Sequence, residues 1–228
     1  MMSVQGMVDL AIAKKEEEKK GRERSGKWSP SSFGKCYRAQ YWNRKNVAPS
    51  NPADARTLRV FRAGSLFHDF VQETIMSDKQ ITKEVLCEEE DIKGYADLVS
   101  PECVWDLKSQ HSGAFHYMEK SADIGEDKKP NILQVLYYAK NLGKKEGRLV
   151  FISKDDLCIL EYAFPLNEKW SQELSQEIST LRSIWKADTT PDALPRAYIN
   201  KKSGKPKECE YCSFRDKCKE TGGTQWKD

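Results

Sequence analysis

The sequence predicts one α/β domain in which a central sheet is flanked by helices. Three strand-like segments rich in β-branched and aromatic residues follow one another within residues 81–110, and two more lie within 147–164. Segments with helical periodicity lie before, between and after them. At 228 residues the chain is long enough for one substantial core and short for two full domains.

Composition is that of a polar globular protein in a reducing compartment. Hydrophobic residues make up 38% and charged residues 32%, and no apolar run is long enough to span a bilayer. The N-terminus does not have the pattern of a secretory signal, so we expect a cytoplasmic protein with no membrane partner. A net charge of +3 does not by itself indicate nucleic-acid binding. Seven cysteines in such a chain favour metal binding over disulfides.

Residues 1–27 are expected to form a loosely docked, charged helical extension, and residues 28–228 the domain itself. Pro30 follows a serine cap and predicts a helix over 29–46. Arginines and aromatic residues alternate along this helix, which also contains Cys36. They either stack on bases and bind phosphates, or belong to an ordinary amphipathic helix whose aromatic residues face the core.

The next helix is capped at 51–54 and is expected to run to about Met76. Gly64 and His68 lie four residues apart on one face of it, and the glycine is expected to leave room beside the imidazole. A lone histidine on a helix is usually packed or solvated, so His68 becomes a candidate only through the motifs that follow.

The middle of the chain contains the expected sheet and one further helix. Strands are expected over 81–88, 92–99 and 104–110. A loop with His111 and His116 follows, and a helix from Pro130 then places Gln134 and Tyr138 on one face.

The last third is expected to contain a hairpin, a long helix and a tail. The hairpin strands are expected over 147–153 and 157–164, and the amphipathic helix over 166–185. The tail contains a basic run at 201–207 and the cysteine-rich sequence CEYCSFRDKC.

The second and third strands predict a hairpin with two facing carboxylates. A turn at Pro101 pairs residues equidistant from it, which sets Asp97 opposite Asp106, and Lys108 follows one pleat further on. Strict alternation would put Tyr95, Asp97 and Val99 on one face of the second strand. Facing carboxylates are unfavourable unless a cation lies between them, and hard oxygen ligands suit Mg²⁺ or Mn²⁺ better than zinc.

A second candidate site is formed by Cys209, Cys212 and Cys218, which lie within ten residues of a polar, loop-like segment. Such spacing indicates metal or cluster ligands, and a tetrahedral site or cubane cluster needs a fourth. The candidates are Cys36, Cys87, Cys103 and Cys158. The last three fall in expected strands and are interpreted as small buried side chains, so we choose Cys36.

Six motifs occur in an order that resembles the PD-(D/E)xK nuclease superfamily, in its RecB-like branch with an iron–sulfur cluster. They are Cys36, Gly64-x3-His68, Gly94-x2-Asp97, Asp106-x-Lys108, Gln134-x3-Tyr138 and Cys209-x2-Cys212-x5-Cys218. The branch includes CRISPR-associated adaptation exonucleases, the nuclease domain of AddB and stand-alone phage relatives. The likeness covers residues 28–218. It implies a restriction-endonuclease-like fold with a mixed central sheet.

The resemblance also implies roles for individual residues. His68, Asp97, Asp106 and the Leu107 carbonyl would hold Mg²⁺ or Mn²⁺, and Lys108 would be the catalytic lysine. Gln134 and Tyr138 would lie near the DNA and the active site. Cys36, Cys209, Cys212 and Cys218 would hold a structural [4Fe–4S] cluster. Two departures are Ala96 where the family has proline, and Asp106 where many relatives have the longer glutamate.

The resulting hypothesis is a metal-dependent exonuclease that acts on single-stranded DNA or DNA ends. It would serve phage or mobile-element recombination, or CRISPR adaptation, in a bacterium or phage-infected cell. Arg38, Arg59, Arg62 and the basic run would guide the DNA, and the hypothesis leaves room for a protein partner or a second copy of the chain. The alternative is a non-catalytic nucleic-acid-binding module with a structural zinc site.

Overall fold

The computed structural model describes residues 2–20, 25–75, 78–121, 124–193 and 207–222. The helices are α1 (Val4–Lys20), a 3₁₀ helix (Pro30–Ser32), α2 (Tyr37–Arg44), α3 (Ala55–Ile75), α4 (Ser112–Glu119), α5 (Lys129–Asn141), α6 (Glu168–Ala187), α7 (Lys207–Glu210) and α8 (Arg215–Glu220). The strands are β1 (Thr82–Glu88), β2 (Lys93–Val99), β3 (Cys103–Gln110), β4 (Glu146–Ser153) and β5 (Ile159–Pro165). None of these helices is both long and apolar enough to cross a membrane.

The five strands form one mixed sheet in the order β1-β2-β3-β4-β5. Neighbouring strands are antiparallel except β3 and β4, which are parallel. Parallel strands need a crossover connection, and here it contains α4 and α5. The predicted α/β fold with a mixed sheet flanked by helices is therefore confirmed.

Helices cover both faces of the sheet. On one face α5 is buried continuously from Ile132 to Ala139, and α6 packs beside it. On the other face α3 packs Phe67 and Val71 against Leu107 of β3. Because α3 and α5 lie on opposite faces of β2 and β3, side chains from both helices can reach the hairpin that these strands form.

The N-terminal helix is present as α1 and lies against α3. An ion pair joins Asp9 of α1 to Arg59 of α3. The basic run predicted to contact DNA falls largely outside the described residues, at 201–206.

The single helix predicted over 29–46 is wrong. Pro30 starts only a 3₁₀ helix, and α2 begins at Tyr37. Between them Gly34 has φ +68°, a left-handed conformation that ends helical winding and suits glycine. A Cβ on Gly34 would lie 3.3 Å from Pro130 Cα, so this turn is fitted against the start of α5.

Two smaller expectations are also wrong. The segment after β3 is helix α4 rather than a loop, because His111 Nδ1 accepts the Ala114 N–H at 3.3 Å and caps it. Cys158 lies just before β5 and is exposed, whereas Cys87 and Cys103 are buried as expected. The cysteine-rich tail, expected to be loop-like, contains the short helices α7 and α8, and the other predicted helices and strands begin and end within a few residues of their predicted bounds.

Candidate active site

The regular alternation of side chains between the two faces of the sheet is interrupted at one point in β1 and β2, at Glu84 and Asp97. Ladder pairs flank these two residues on both sides, but they do not pair with each other, and Glu84 has φ +52°. Ala96 and Val99 both pack in the α5-side core, which strict alternation would not allow. The face predicted to be shared by Tyr95 and Val99 is therefore wrong, and Tyr95 is half exposed.

The hairpin register near its turn is as predicted. Leu98 pairs with Trp105, and the next residues pair likewise toward the turn. The same register, extended one step away from the turn, sets Asp97 opposite Asp106. The ladder is interrupted there, and the Leu107 N–H donates to Asp97 Oδ2 at 2.6 Å. The Asp97 carboxylate is thus fixed by the backbone of the neighbouring strand.

Asp106 is the most buried acid of the group, with 1% of its surface exposed. Within the described residues, neither of its carboxylate oxygens accepts a hydrogen bond of regular geometry. Lys108 Nζ lies 2.6 Å from Oδ2 and forms an ion pair with it. A buried carboxylate needs compensating charge and hydrogen bonds, and Lys108 compensates Oδ2 only, so Oδ1 is open to bind a cation.

Burial raises the pKa of both Asp97 and Asp106, in each case to about 6. The Lys108 ammonium opposes this rise at both carboxyls, while Asp97 raises the pKa of Asp106 further. The two acids therefore hold protons more tightly than ordinary aspartates and would release them to a metal ion near neutral pH.

His68 approaches the pair from α3, with Nδ1 3.8 Å from Asp97 Oδ2. Burial lowers the pKa of His68 and Lys108 lowers it further, which favours the neutral imidazole that binds metals. The role predicted for Gly64 is wrong. A Cβ there would approach only Ser109 Oγ, at 3.6 Å, so the glycine lies toward β3 and not beside the imidazole.

Gln72 is a site residue that sequence reasoning missed. It is buried, and its Nε2 donates to Glu84 Oε1 at 2.8 Å and to the Asp97 carbonyl at 3.1 Å. One side chain of α3 therefore holds both residues at which the strands change faces. The available signal was spacing, since Gln72 follows His68 by four residues just as His68 follows Gly64.

The α5 side of the site contains Gln134 and Tyr138, as predicted from their shared helix face. Lys108 Nζ donates to Gln134 Oε1 at 3.3 Å. Burial raises the pKa of Tyr138, and the nearby Asp106 and Asp97 raise it as well, so its hydroxyl stays protonated. A Cβ on Gly94 would lie 2.7 Å from the Tyr138 hydroxyl, which explains a glycine at this position.

Lys35 is a second residue that sequence reasoning missed. Its Nζ donates to the Ser31 carbonyl at 2.7 Å in the turn beside α5. Burial lowers the pKa of Lys35, Lys108 lowers it further, and Asp106 raises it, so the three charges are close enough to interact. Nothing in the local sequence distinguishes this lysine from others.

The donor set at the hairpin suits a hard divalent cation. Two carboxylates, one neutral imidazole and the Leu107 carbonyl are the ligand types that Mg²⁺ and Mn²⁺ take in proteins. Within the described residues, no three His, Cys, Asp or Glu side chains stand together at metal-ligand spacing. Lys108 is ion-paired with Asp106 Oδ2, and the buried Oδ1, which has no partner among the described residues, fits such a group.

The cysteine segment, residues 209–218, packs against α2. Phe214 is buried against Tyr41 and Trp42, and Cys212 and Cys218 lie at the edge of this cluster. Burial raises the pKa of the Cys212 thiol, and the nearby Cys36 and Cys218 raise it further. Three of the four predicted ligands therefore lie close together, and Cys209 lies one turn before Cys212, whose N–H donates to its carbonyl at 3.2 Å. Thiolates are ligands that zinc and iron–sulfur clusters take, but these cysteines are not grouped at metal-ligand spacing within the described residues.

The three arginines predicted to guide DNA have different surroundings. Arg38 is buried and donates to the Pro191 carbonyl at 2.7 Å and to Cys218 Sγ at 3.5 Å, so it supports the cysteine segment. Arg59 is paired with Asp9 of α1. Arg62 is exposed on α3.

Solved structures with the same fold include two proteins. One is described as SSO0001, with 18% identity and a TM-score of 0.58 over 94% of this chain and 97% of that one. The other is the alkaline exonuclease LHK-Exo from Laribacter hongkongensis, with 14% identity and a TM-score of 0.54 over 72% of this chain and 90% of that one. A complex of LHK-Exo with dAMP is similar at 12% identity and a TM-score of 0.51, over 72% and 89%.

At these identities the likeness shows that this chain shares the fold of those proteins. No protein-family model matches the chain, and no curated protein does either.

Proposed function

We propose that this protein is a metal-dependent deoxyribonuclease that degrades single-stranded DNA or DNA ends. The observation that carries the proposal is the buried Asp106 carboxylate, with Asp97 and His68 near it, whose Oδ2 is ion-paired with Lys108 while Oδ1 has no partner among the described residues. The fold shared with an alkaline exonuclease, including its complex with dAMP, supports the same chemistry.

Asp97, Asp106, His68 and the Leu107 carbonyl would hold Mg²⁺ or Mn²⁺. When bound, the ion supplies Lewis-acid polarisation of a phosphoryl oxygen and a water of lowered pKa. The side chain of Asp97 is oriented for this by the Leu107 N–H, and its carbonyl by Gln72.

The remaining groups bind and orient the phosphate and the attacking water. Lys108 Nζ lies between Asp106 and Gln134, where it can donate to a water or to a phosphate oxygen on which charge develops. Tyr138 keeps its proton and can donate to the same phosphate. Lys35 adds positive charge beside the 3₁₀ turn, which favours an anionic substrate over a neutral one.

The four cysteines would hold a [4Fe–4S] cluster that joins α2 to the cysteine segment. Cys36 and Cys218 lie near enough to Cys212 to raise the pKa of its thiol, and a bound cluster would draw the cysteines to ligand distance. The cluster's role would be structural, since Trp42 and Phe214 pack between the parts that it joins. Recombination of phage or mobile-element DNA and CRISPR adaptation are the processes that such an enzyme would serve.

The experiment is degradation of end-labelled linear single-stranded DNA with Mn²⁺ or Mg²⁺. The wild type should degrade it, while Asp106→Ala and Lys108→Ala should not. His116→Ala is the matched control, since this exposed histidine lies on α4 with Glu119 as its partner. Circular single-stranded DNA distinguishes the modes of cleavage, because an exonuclease leaves it intact.

Equal behaviour of the wild type and both variants would contradict the proposal. In that case a non-catalytic nucleic-acid-binding module with a structural zinc site would remain. The purified protein would then be colourless and contain zinc, whereas an iron–sulfur cluster absorbs broadly in the visible range.

A further inference from the structure

A second cleft lies between the N-terminal part of α3 and the cysteine segment. It encloses about 730 Å³. Val60 and Phe61 line it from α3, and Tyr211 lines it from the cysteine segment. It is separate from the group around Asp106, none of whose residues line it.

Two aromatic side chains in this cleft are unusually exposed. Tyr211 has 77% of its surface accessible and Phe61 has 61%, and the neighbouring Val60 has 50%. Large apolar side chains grouped on a surface mark a place where something binds. Aromatic rings presented in this way are the usual platforms on which unpaired bases stack, irrespective of sequence.

The charged groups of the cleft favour a single strand over a duplex. Arg56 and Arg215 line it and can contact phosphates, but Asp54 and Glu210 line it too. Asp54 is engaged as a helix cap, accepting the Thr57 N–H at 2.7 Å. A cleft of such mixed charge cannot rely on neutralising the phosphates of a duplex. Stacking must therefore supply most of the affinity, and only unpaired bases expose their faces for it.

The cleft and the candidate active site share helix α3. Phe61 precedes His68 by seven residues, which places them on the same side of the helix and about 10 Å apart along its axis. That distance corresponds to about three stacked nucleotides of one strand. A strand whose phosphate lies beside His68 can therefore extend along α3 into the cleft.

We propose that this cleft binds the single-stranded DNA substrate a few nucleotides from the cleaved phosphate, with bases stacked on Phe61 and Tyr211. The inference rests on the proposed function and adds to it the path of the strand. It also gives the cysteine segment a direct part in binding, because Tyr211 precedes Cys212, one of the proposed cluster ligands.

The test is binding of a fluorescein-labelled 15-residue oligothymidylate, followed by anisotropy in an Asp106→Asn background with Mn²⁺ present. Phe61→Ala and Tyr211→Ala should each weaken binding about tenfold. Tyr211→Trp keeps an aromatic ring and should bind with the affinity of the unsubstituted cleft. Tyr117→Ala is the control, since Tyr117 is 68% exposed on α4 outside the cleft. A duplex of equal length should show little change in any variant.

A second measurement replaces one thymine with 2-aminopurine, whose fluorescence falls when it stacks. We expect strong quenching at about three nucleotides from the cleavage position, lost in Phe61→Ala. Phe61 is mostly exposed on a long helix, so this variant will fold even if Tyr211→Ala disturbs the cysteines. Unchanged binding and quenching in Phe61→Ala would overturn the cleft proposal while degradation by the wild type would still support the nuclease. If the wild type neither binds nor degrades DNA, the proposed function itself fails.

Discussion

The candidate active site and the cysteine segment are built in opposite ways. The active-site residues lie on α3, β2, β3 and α5, which are long elements anchored in two hydrophobic cores. Cys36 lies at the start of α2, Cys209 and Cys218 lie on α7 and α8, which have four and six residues, and Cys212 lies between these two helices. All four thiols are only partly buried.

This difference indicates which interactions hold each site in its folded conformation. Helices of four to six residues have no stability of their own, so the cysteine segment depends on the few aromatic contacts around Phe214 and on what its thiols bind. The active site is held by packing and by hydrogen bonds from Leu107 and Gln72. Losing the proposed catalytic metal should therefore leave the fold intact, whereas losing the proposed cluster should not.

The largest expected effect separates activity from folding. Asp106→Asn should reduce Mn²⁺-dependent DNA degradation by a factor on the order of 10³ or more, because a central ligand is lost. Its melting temperature without metal should equal or exceed that of the wild type, since a buried carboxyl is replaced by a neutral group. Activity assays paired with calorimetry check this. A variant that loses its fold along with its activity would show that Asp106 is needed for folding and would contradict this prediction.

The cysteine segment should show the reverse. Cys36→Ser should lose the visible chromophore and lower the melting temperature by on the order of 10 °C, because one of four ligands is gone. Cys158→Ser is the matched control, since this exposed thiol lies outside the segment. An unchanged absorbance spectrum in Cys36→Ser would show that Cys36 is not the fourth ligand.

Gln72 tests whether the active site is ordered by hydrogen bonds. Gln72→Leu keeps the side-chain volume but removes the donor to Glu84 and to the Asp97 carbonyl, so Mn²⁺ affinity should fall about 10- to 100-fold. The measurement is a calorimetric Mn²⁺ titration. Gln172→Leu on the surface of α6 should bind Mn²⁺ like the wild type, and equal affinity in both variants would assign Gln72 a packing role only.

Substituting two glycines near the site should change the free energy of unfolding by smaller amounts and in opposite directions. Gly94→Ala should destabilise the protein by about 2 kcal/mol, because its Cβ would lie 2.7 Å from the Tyr138 hydroxyl. Gly64→Ala meets only Ser109 Oγ at 3.6 Å and should stabilise α3 by up to about 1 kcal/mol. Urea unfolding of both variants checks the sign of each change. Destabilisation of equal size in both variants would show that α3 packs too closely against β3 to admit a methyl group at position 64.

The last prediction concerns the pH dependence of stability. The folded protein holds protons on Asp97 and Asp106 more tightly than the unfolded chain does, because burial raises their pKa. Their contribution to the unfolding free energy is therefore present at acid pH and lost as pH rises through about 6. Relative to Asp97→Asn/Asp106→Asn, the unfolding free energy of the metal-free wild type should fall between about pH 4 and pH 7. Urea titrations in EDTA measure this, and a gain with rising pH would contradict the assigned direction.

The sequence predicted the fold and the hairpin because both depend on local patterns. Alternation and turn chemistry located β2 and β3, and the position of Pro101 was enough to set Asp97 opposite Asp106. Gln134 and Tyr138 followed from helical spacing. The likeness to solved structures agrees with this fold.

The remaining features depend on tertiary contacts that no local pattern encodes. A single glutamine in a helix carries no distinctive signal, so Gln72 was found only through its bonds to β1 and β2. The change of face at Asp97 is imposed by neighbouring strands and violates the alternation on which strand prediction relies. Gly34 ended a helix that Pro30 and the aromatic spacing both favoured, because its turn fits against α5.

The most direct test of the central claim is Mn²⁺ binding followed by electron paramagnetic resonance. If the buried carboxylates form the catalytic metal site, the wild type will bind Mn²⁺ and broaden its signal, and Asp106→Asn will lose this binding while keeping its fold and its chromophore. Mn²⁺ binding of equal strength in the wild type and in a folded Asp106→Asn variant would contradict the claim.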